Sequence, residues 1–131
     1  MPTEFEAARE ALVAELADAA SRRLAELGCA NVRVYTAGEE LGWSEQAPYD
    51  AIIVTAGAPI VPSSLVDQLA MGGRLVVPVG GRRLQQLVRA TNSERGLTIE
   101  KLGECRFVPL IAPEGGWPDE GISENGAQPF R

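Results

Sequence analysis

Four acidic residues stand in adjacent pairs, Glu39-Glu40 and Asp119-Glu120. Paired carboxylates do acid–base work when burial or a neighbouring charge drives their pKa values apart. Both pairs fall in loop-like stretches without apolar surroundings, so they read as solvated acids. The two cysteines, Cys29 and Cys105, lie far apart and lack metal-ligand spacing. They read as reduced, mostly buried thiols. Histidine is absent. That excludes Ser-His-Asp and Cys-His nucleophile pairs, imidazole bases and histidine metal sites. Residue types and spacing alone therefore make no case for covalent or acid–base catalysis, nor for a metal centre.

Charge narrows the partners. The net charge is −6, which opposes a phosphate backbone and argues against a nucleic-acid partner. The basic residues are almost all arginines spread along the chain, and the pairs Arg22-Arg23 and Arg82-Arg83 read as solvated surface. Hydrophobic content of 45% and charged content of 23% over 131 residues suit one globular domain with a moderate core. No apolar run is long enough to span a bilayer and no basic-then-apolar leader opens the chain. The expected compartment is the cytoplasm, with no membrane association.

The elements that would position any chemistry are organised around Pro48 to Gly80. Ala51-Ile52-Ile53-Val54 is a continuous apolar run, the pattern of a strand buried on both faces. Pro62 opens a short helix expected to run to Leu69, with Gly72-Gly73 as its stop. Leu75-Val76-Val77-Pro78-Val79 is a second apolar strand. Two such strands joined by a helix make a right-handed parallel crossover, which sets the class as α/β. Upstream, apolar residues from Phe5 to Leu27 recur at spacings of three and four. This predicts a long helix, Thr3 to Leu27, with one face packed on a sheet, capped by Thr3 and Glu6 and stopped by Gly28. Asn31 to Tyr35 alternates and reads as a strand, and Trp43 reads as an anchor in the loop from Thr36 to Ala47. Downstream, Gln85–Thr91 and Leu97–Leu102 flank the turn-rich Asn92 to Gly96 and read as a hairpin. Phe107 to Ile111 is a final extended segment that Pro109 keeps off the middle of a sheet.

The run PYDAIIVTAGAPIVPSSLVDQL at 48–69, followed by GGRLVVPVG at 72–80, resembles the second half of the protein-L-isoaspartate O-methyltransferase family. LAELGCANVRV at 24–34 and LGW at 41–43 continue the resemblance upstream, and RFVPL at 106–110 and GGW at 115–117 continue it downstream. It spans roughly Glu15 to Trp117. The resemblance implies a Rossmann-like, S-adenosylmethionine-dependent methyltransferase fold in truncated form: a mostly parallel sheet with a C-terminal antiparallel hairpin. It implies a partial methyltransferase-like domain over 1–117, and the chain beyond it, rich in Gly, Pro and acids, reads as a loosely ordered tail over 118–131. The implied activity is methyl transfer from S-adenosylmethionine to isoaspartyl carboxylates of damaged protein, so the implied partner is an isoaspartyl-containing protein or peptide. Such a displacement needs positioning more than a strong base, because the carboxylate is already ionised near neutral pH.

By the same resemblance, the cofactor side falls to Thr55, Ala56 and Gly57, which follow the first apolar strand. The peptide side falls to Val108, Pro109 and Leu110. No residue is assigned a catalytic role. The chain departs from the family's pattern in three places. The glycine-rich cofactor loop and the N-terminal segment do not appear ahead of Glu15. Ala11 stands where the family has its ribose-binding acid, with Glu10 one residue off. Gly38 stands where the family has its adenine-contacting acid, leaving Glu39 as the candidate. The family's first two strands, which lie between the counterparts of Asn31–Tyr35 and Ala51–Thr55, have no equivalent here. The expectation is that Asn31–Tyr35 slides in beside Ala51–Thr55, with a homodimer as the secondary expectation. The other reading from these residues is a non-catalytic methyltransferase-like interaction module. A nucleotide-binding enzyme of another kind lacks a phosphate loop.

Overall fold

Leu75 to Val79 carries no charge and only β-favouring or apolar side chains, apart from one proline, and it forms the middle of the longest strand. The computed structural model describes residues 4–38, 40–112 and 115–118. These fall into two compact units, one within 1–38 and one within 39–131.

The first unit is built on helix α1, Glu4–Glu26. Its end follows from Gly28, whose φ of +77° is open to glycine and strained for other residues. The Gly28 and Cys29 amides bond back to the Ala25 and Leu24 carbonyls, the Schellman pattern. The expected capping pair lies partly outside the described residues, since Thr3 is not among them. On this helix Leu12, Val13 and Leu16 are 41–62% exposed. Asn31 to Tyr35 is corrected by the structure. It forms no strand, because alternation alone supplies no partner for its backbone groups.

The second unit holds one four-stranded sheet in the order β1-β2-β3-β4: Tyr49–Ile53, Leu69–Gly80, Gln85–Ser93 and Gly96–Cys105. β1 and β2 are parallel neighbours, with Ile52 opposite Leu75 and Ile53 opposite Val76, as the paired apolar runs predict. The remaining two pairings are antiparallel. Among the described residues β1 pairs with β2 alone, and Asn31–Tyr35, expected as its second neighbour, forms no strand. β1 is an edge strand, and this overturns its reading as buried on both faces: Ile53 is 73% exposed and Ala51 is exposed as well.

Helix α2 is shorter than predicted, Ser63–Val66, with Pro62 at its N-cap. Gly72-Gly73 does not stop it. Both glycines lie within β2, where Tyr49 and Ala51 of β1 face Leu69 and Arg74. Five residue steps on β2 therefore oppose two on β1, an extended bulge that Gly72 permits with φ +79°. The Asn92 side-chain amide donates to the Leu69 and Ala70 carbonyls at 3.2 and 3.3 Å, covering acceptors at the bulge.

The core gathers Ala58, Leu65, Leu69, Leu75, Val77 and Ala90. The predicted hairpin is present, with Ser93 opposite Gly96 and a two-residue turn between them. Arg89 and Glu100 face each other across it at 2.6 Å, a favourable cross-strand charge pair. Cys29 and Cys105 are free thiols, each half-buried.

Candidate cofactor and peptide site

Three segments meet beyond the carboxyl end of β1: the loop 55–57, the turn at Gly80-Gly81 and the extended stretch 107–110. The loop leaves the sheet after the Val54 amide bonds to the Val76 carbonyl at 2.9 Å. Ala58 then docks on the end of β2: its amide donates to Pro78 and its carbonyl accepts from Gly80. Between these anchors, Gly57 forms a parallel bridge with Pro109. Its amide donates to the Val108 carbonyl at 2.7 Å, and its carbonyl accepts from the Leu110 amide at 2.8 Å. The candidate cofactor side (Thr55, Ala56, Gly57) and the candidate peptide side (Val108, Pro109, Leu110) are thus one hydrogen-bonded unit, a junction their separation in sequence does not announce.

Within this unit the residues differ in what they present. Thr55 and Val108 are exposed, Ala56, Pro109 and Leu110 half-buried, and Gly57 buried. Both backbone polar groups of Gly57 are engaged by the 108–110 stretch, so Gly57 joins the two sides and Thr55 and Val108 face solvent. A Cβ at Gly57 would sit 2.9 Å from Cδ of Gln85. Glycine is needed there for close approach rather than for a special dihedral angle. Glu39, the candidate adenine contact, lies outside the described residues. Its neighbour Glu40 is exposed and accepts from the Ser44 amide and hydroxyl, each at 2.9 Å. The Ser44 backbone N–H first, then its hydroxyl, holds this carboxyl below the usual glutamate value.

Sequence reasoning missed two buried amides. Gln85 is 2% exposed and Gln68 is 5% exposed. Gln85 donates to the Gly81 carbonyl and accepts from the Phe107 amide, both at 2.7 Å. Gln68 accepts from the Trp43 amide at 2.9 Å and donates to the Leu41 and Ser64 carbonyls. It thereby ties the Leu41-Gly42-Trp43 loop to α2 through the Trp43 backbone amide. A groove of about 290 Å³ opens there, lined by Gly42, Trp43, Tyr49, Ala51, Ile52 and Gln68. A polar residue in a turn (Gln68) or at the start of a strand (Gln85) reads as surface unless its packing is known, so neither glutamine had a usable signal. Arg82, expected to be solvated, is half-buried with its guanidinium 4.8 Å from the centre of the Trp117 ring. Trp117 is fixed in turn by backbone bonds to Leu110 and Ala112, which joins the downstream GGW to the candidate peptide stretch.

A parallel crossover leading into an antiparallel hairpin, with a small-residue loop at the carboxyl end of the edge strand, is consistent with the truncated α/β methyltransferase fold. A solved protein-L-isoaspartate O-methyltransferase superposes with a TM-score of 0.67 at 30% identity, over 77% of this chain and 32% of that one. The family described as Protein-L-isoaspartate(D-aspartate) O-methyltransferase (PCMT) matches residues 10–115, and the chain belongs to it. A protein-L-isoaspartate O-methyltransferase of Syntrophus aciditrophicus is 50% identical over 108 residues, covering 80% of this chain and 49% of the relative. One of Rhodopseudomonas palustris is 52% identical over 105 residues, covering 79% and 48%. The chain thus spans about half the length of the curated relatives it matches.

Proposed function

We propose that this chain provides the peptide-facing half of an S-adenosylmethionine-dependent protein carboxyl methyltransferase acting on isoaspartyl residues, in cytoplasmic protein repair. The observation that carries the reading is the Gly57–Pro109 bridge, within a chain that matches the family over residues 10–115. It sets the loop 55–57, the candidate cofactor side, against the stretch 108–110, the candidate peptide side, and this supports the proximity that an in-line transfer between two bound groups requires. S-adenosylmethionine would supply an electrophilic methyl group, and the substrate carboxylate is its own nucleophile. The residues of this chain then have only to orient and exclude water. That agrees with a sequence holding no histidine.

The described residues fit one part of the cofactor. Thr55-Ala56-Gly57 form a small-residue wall at the carboxyl end of a parallel strand, the usual ligand position of open α/β sheets. The sugar and base are less well served, since Ala11 and Gly38 stand at the two positions matching acids. Each lost polar contact costs about 1–3 kcal/mol. Calorimetric titration of this chain with S-adenosylmethionine is therefore expected to show weak binding or none, and a micromolar dissociation constant would sink that expectation.

The peptide side has its own test. A peptide with a single isoaspartyl residue, titrated against ¹⁵N-labelled protein, is expected to shift the Val108 and Leu110 amides more than its aspartyl twin does. Methyl incorporation at high S-adenosylmethionine is expected to favour the same peptide. Equal responses to the two peptides overturn the reading.

A further inference from the structure

Gln85 is the only side chain that bonds to both the Gly80-Gly81 turn and the 107–110 stretch among the described hydrogen bonds, and it also packs under Gly57. Its amide is almost fully buried. One end donates to the Gly81 carbonyl and the other accepts from the Phe107 amide, each at 2.7 Å. Its Cγ, Cδ and Nε2 lie where a Gly57 side chain would start, at 2.9–3.1 Å from that point. Phe107 leads directly into Val108, whose carbonyl takes the Gly57 amide. The spacing between the loop 55–57 and the stretch 108–110 is thus set from below by one amide plane as well as by the Gly57–Pro109 bridge.

The chemistry of that plane is specific. A buried amide offers a donor and an acceptor at a fixed separation, and here each is used once on a backbone group. A hydrocarbon of the same length would fill the space and leave the Phe107 amide and the Gly81 carbonyl without these partners, at a cost comparable to a lost hydrogen bond. A carboxylate would accept from Phe107 yet face the Gly81 carbonyl with a second acceptor.

We propose that Gln85 is a positioning residue for the transfer reaction: it holds the cofactor-side loop and the peptide-side stretch in one register, so that ordering one orders the other. The inference rests on the functional reading above. Its test uses backbone protection, which does not depend on that reading, so the two can fail separately.

Hydrogen exchange measured by NMR on the full chain compares wild type with Gln85→Met and Gln85→Glu. In Gln85→Met, protection at Gly57, Phe107 and Leu110 is expected to fall about tenfold, the equivalent of one hydrogen bond. The β2–β3 ladder amides should keep theirs and report that the fold is intact. Gln85→Glu adds a signature that space-filling cannot produce. NMR titration of the introduced carboxyl gives its pKa, and below that value the protonated acid donates and accepts as the amide does. Protection factors at Gly57 and Leu110 should then approach wild type, and above it they should fall toward the Gln85→Met level. Unchanged protection at Gly57 and Leu110 in Gln85→Met overturns the proposal. So does loss shared equally with the β2–β3 ladder, or pH-independent protection in Gln85→Glu.

Discussion

β1 and β2 are both apolar strands, hydrogen-bonded side by side, yet they live in different environments. Leu75 and Val77 of β2 are fully buried, whereas Ile53 of β1 is 73% exposed. β2 has a strand on each side and packs against the loop after β1 through Ala58 and against α2 through Leu65. Among the described residues β1 has one neighbour, and it is tied at its start by polar pins. The Tyr49 amide donates to the Gln68 carbonyl at 2.8 Å, and its hydroxyl donates to the Trp43 carbonyl. An apolar run reports what a strand can bury; its neighbours decide what it does bury. β2 is held mainly by the hydrophobic effect, whereas β1 combines the packing of Ile52 against the core with hydrogen-bonded pins at its start.

Paired truncations should expose this difference most sharply. Leu75→Ala is expected to cost about 2–5 kcal/mol, as for a fully buried leucine. Ile53→Ala should stay within about 0.5 kcal/mol, as for an exposed position. Urea denaturation of the two variants checks the contrast, and equal losses would show that β1 is covered in solution.

Gln68→Leu comes next. Removing its amide leaves the Trp43 N–H and the Leu41 carbonyl without their buried partner, at about 1–3 kcal/mol. The damage should appear at the start of β1: tryptophan fluorescence should shift red at denaturant levels where the β2–β3–β4 ladder is still folded. A single coincident transition would mean that β1 does not depend on its pins.

The smallest effect belongs to Ser44→Ala, in the 3₁₀ turn Ser44–Gln46 just ahead of β1. It removes the hydroxyl bond to Glu40 and leaves the backbone bond, so the Glu40 pKa should rise part of the way toward the usual value of 4.5. The sign follows from linkage. A carboxyl depressed in the folded state contributes stability above its unfolded pKa, and that contribution is lost as pH falls through the folded value. Wild type and Ser44→Ala should therefore differ slightly near neutral pH and converge on acidification below 4.5. NMR titration of the Glu40 side chain reads the shift directly.

Much of the second unit was legible because its signals are local or come in pairs. The β1–α2–β2 crossover showed as two apolar runs a helix-length apart. The hairpin showed as two alternating stretches around turn formers. The candidate loop and the candidate peptide stretch were each legible by resemblance, while their bridge through Gly57 and Pro109 was not, since a contact between distant segments leaves no periodicity. Asn31–Tyr35 failed for the complementary reason: Val32 and Val34 alternate with polar residues, but a strand exists only where a partner takes its backbone. Gln68 and Gln85 were hidden because a buried, fully bonded amide and a solvated one are spelled the same way.

The bulge between Leu69 and Arg74 has a consequence for how this stretch of sequence can change over time. In an ordinary ladder, gaining or losing one residue swaps the inward and outward faces of everything beyond it. Here β2 already carries three more steps than β1 needs, and the surplus includes Met71, 66% exposed, and Gly72, which has open space around it. A single-codon insertion or deletion at Met71-Gly72 would alter the depth of the bulge and leave Leu75 and Val77 facing the core. Length variation in relatives should therefore be tolerated at this point and resisted a few residues later, where the ladder has no slack.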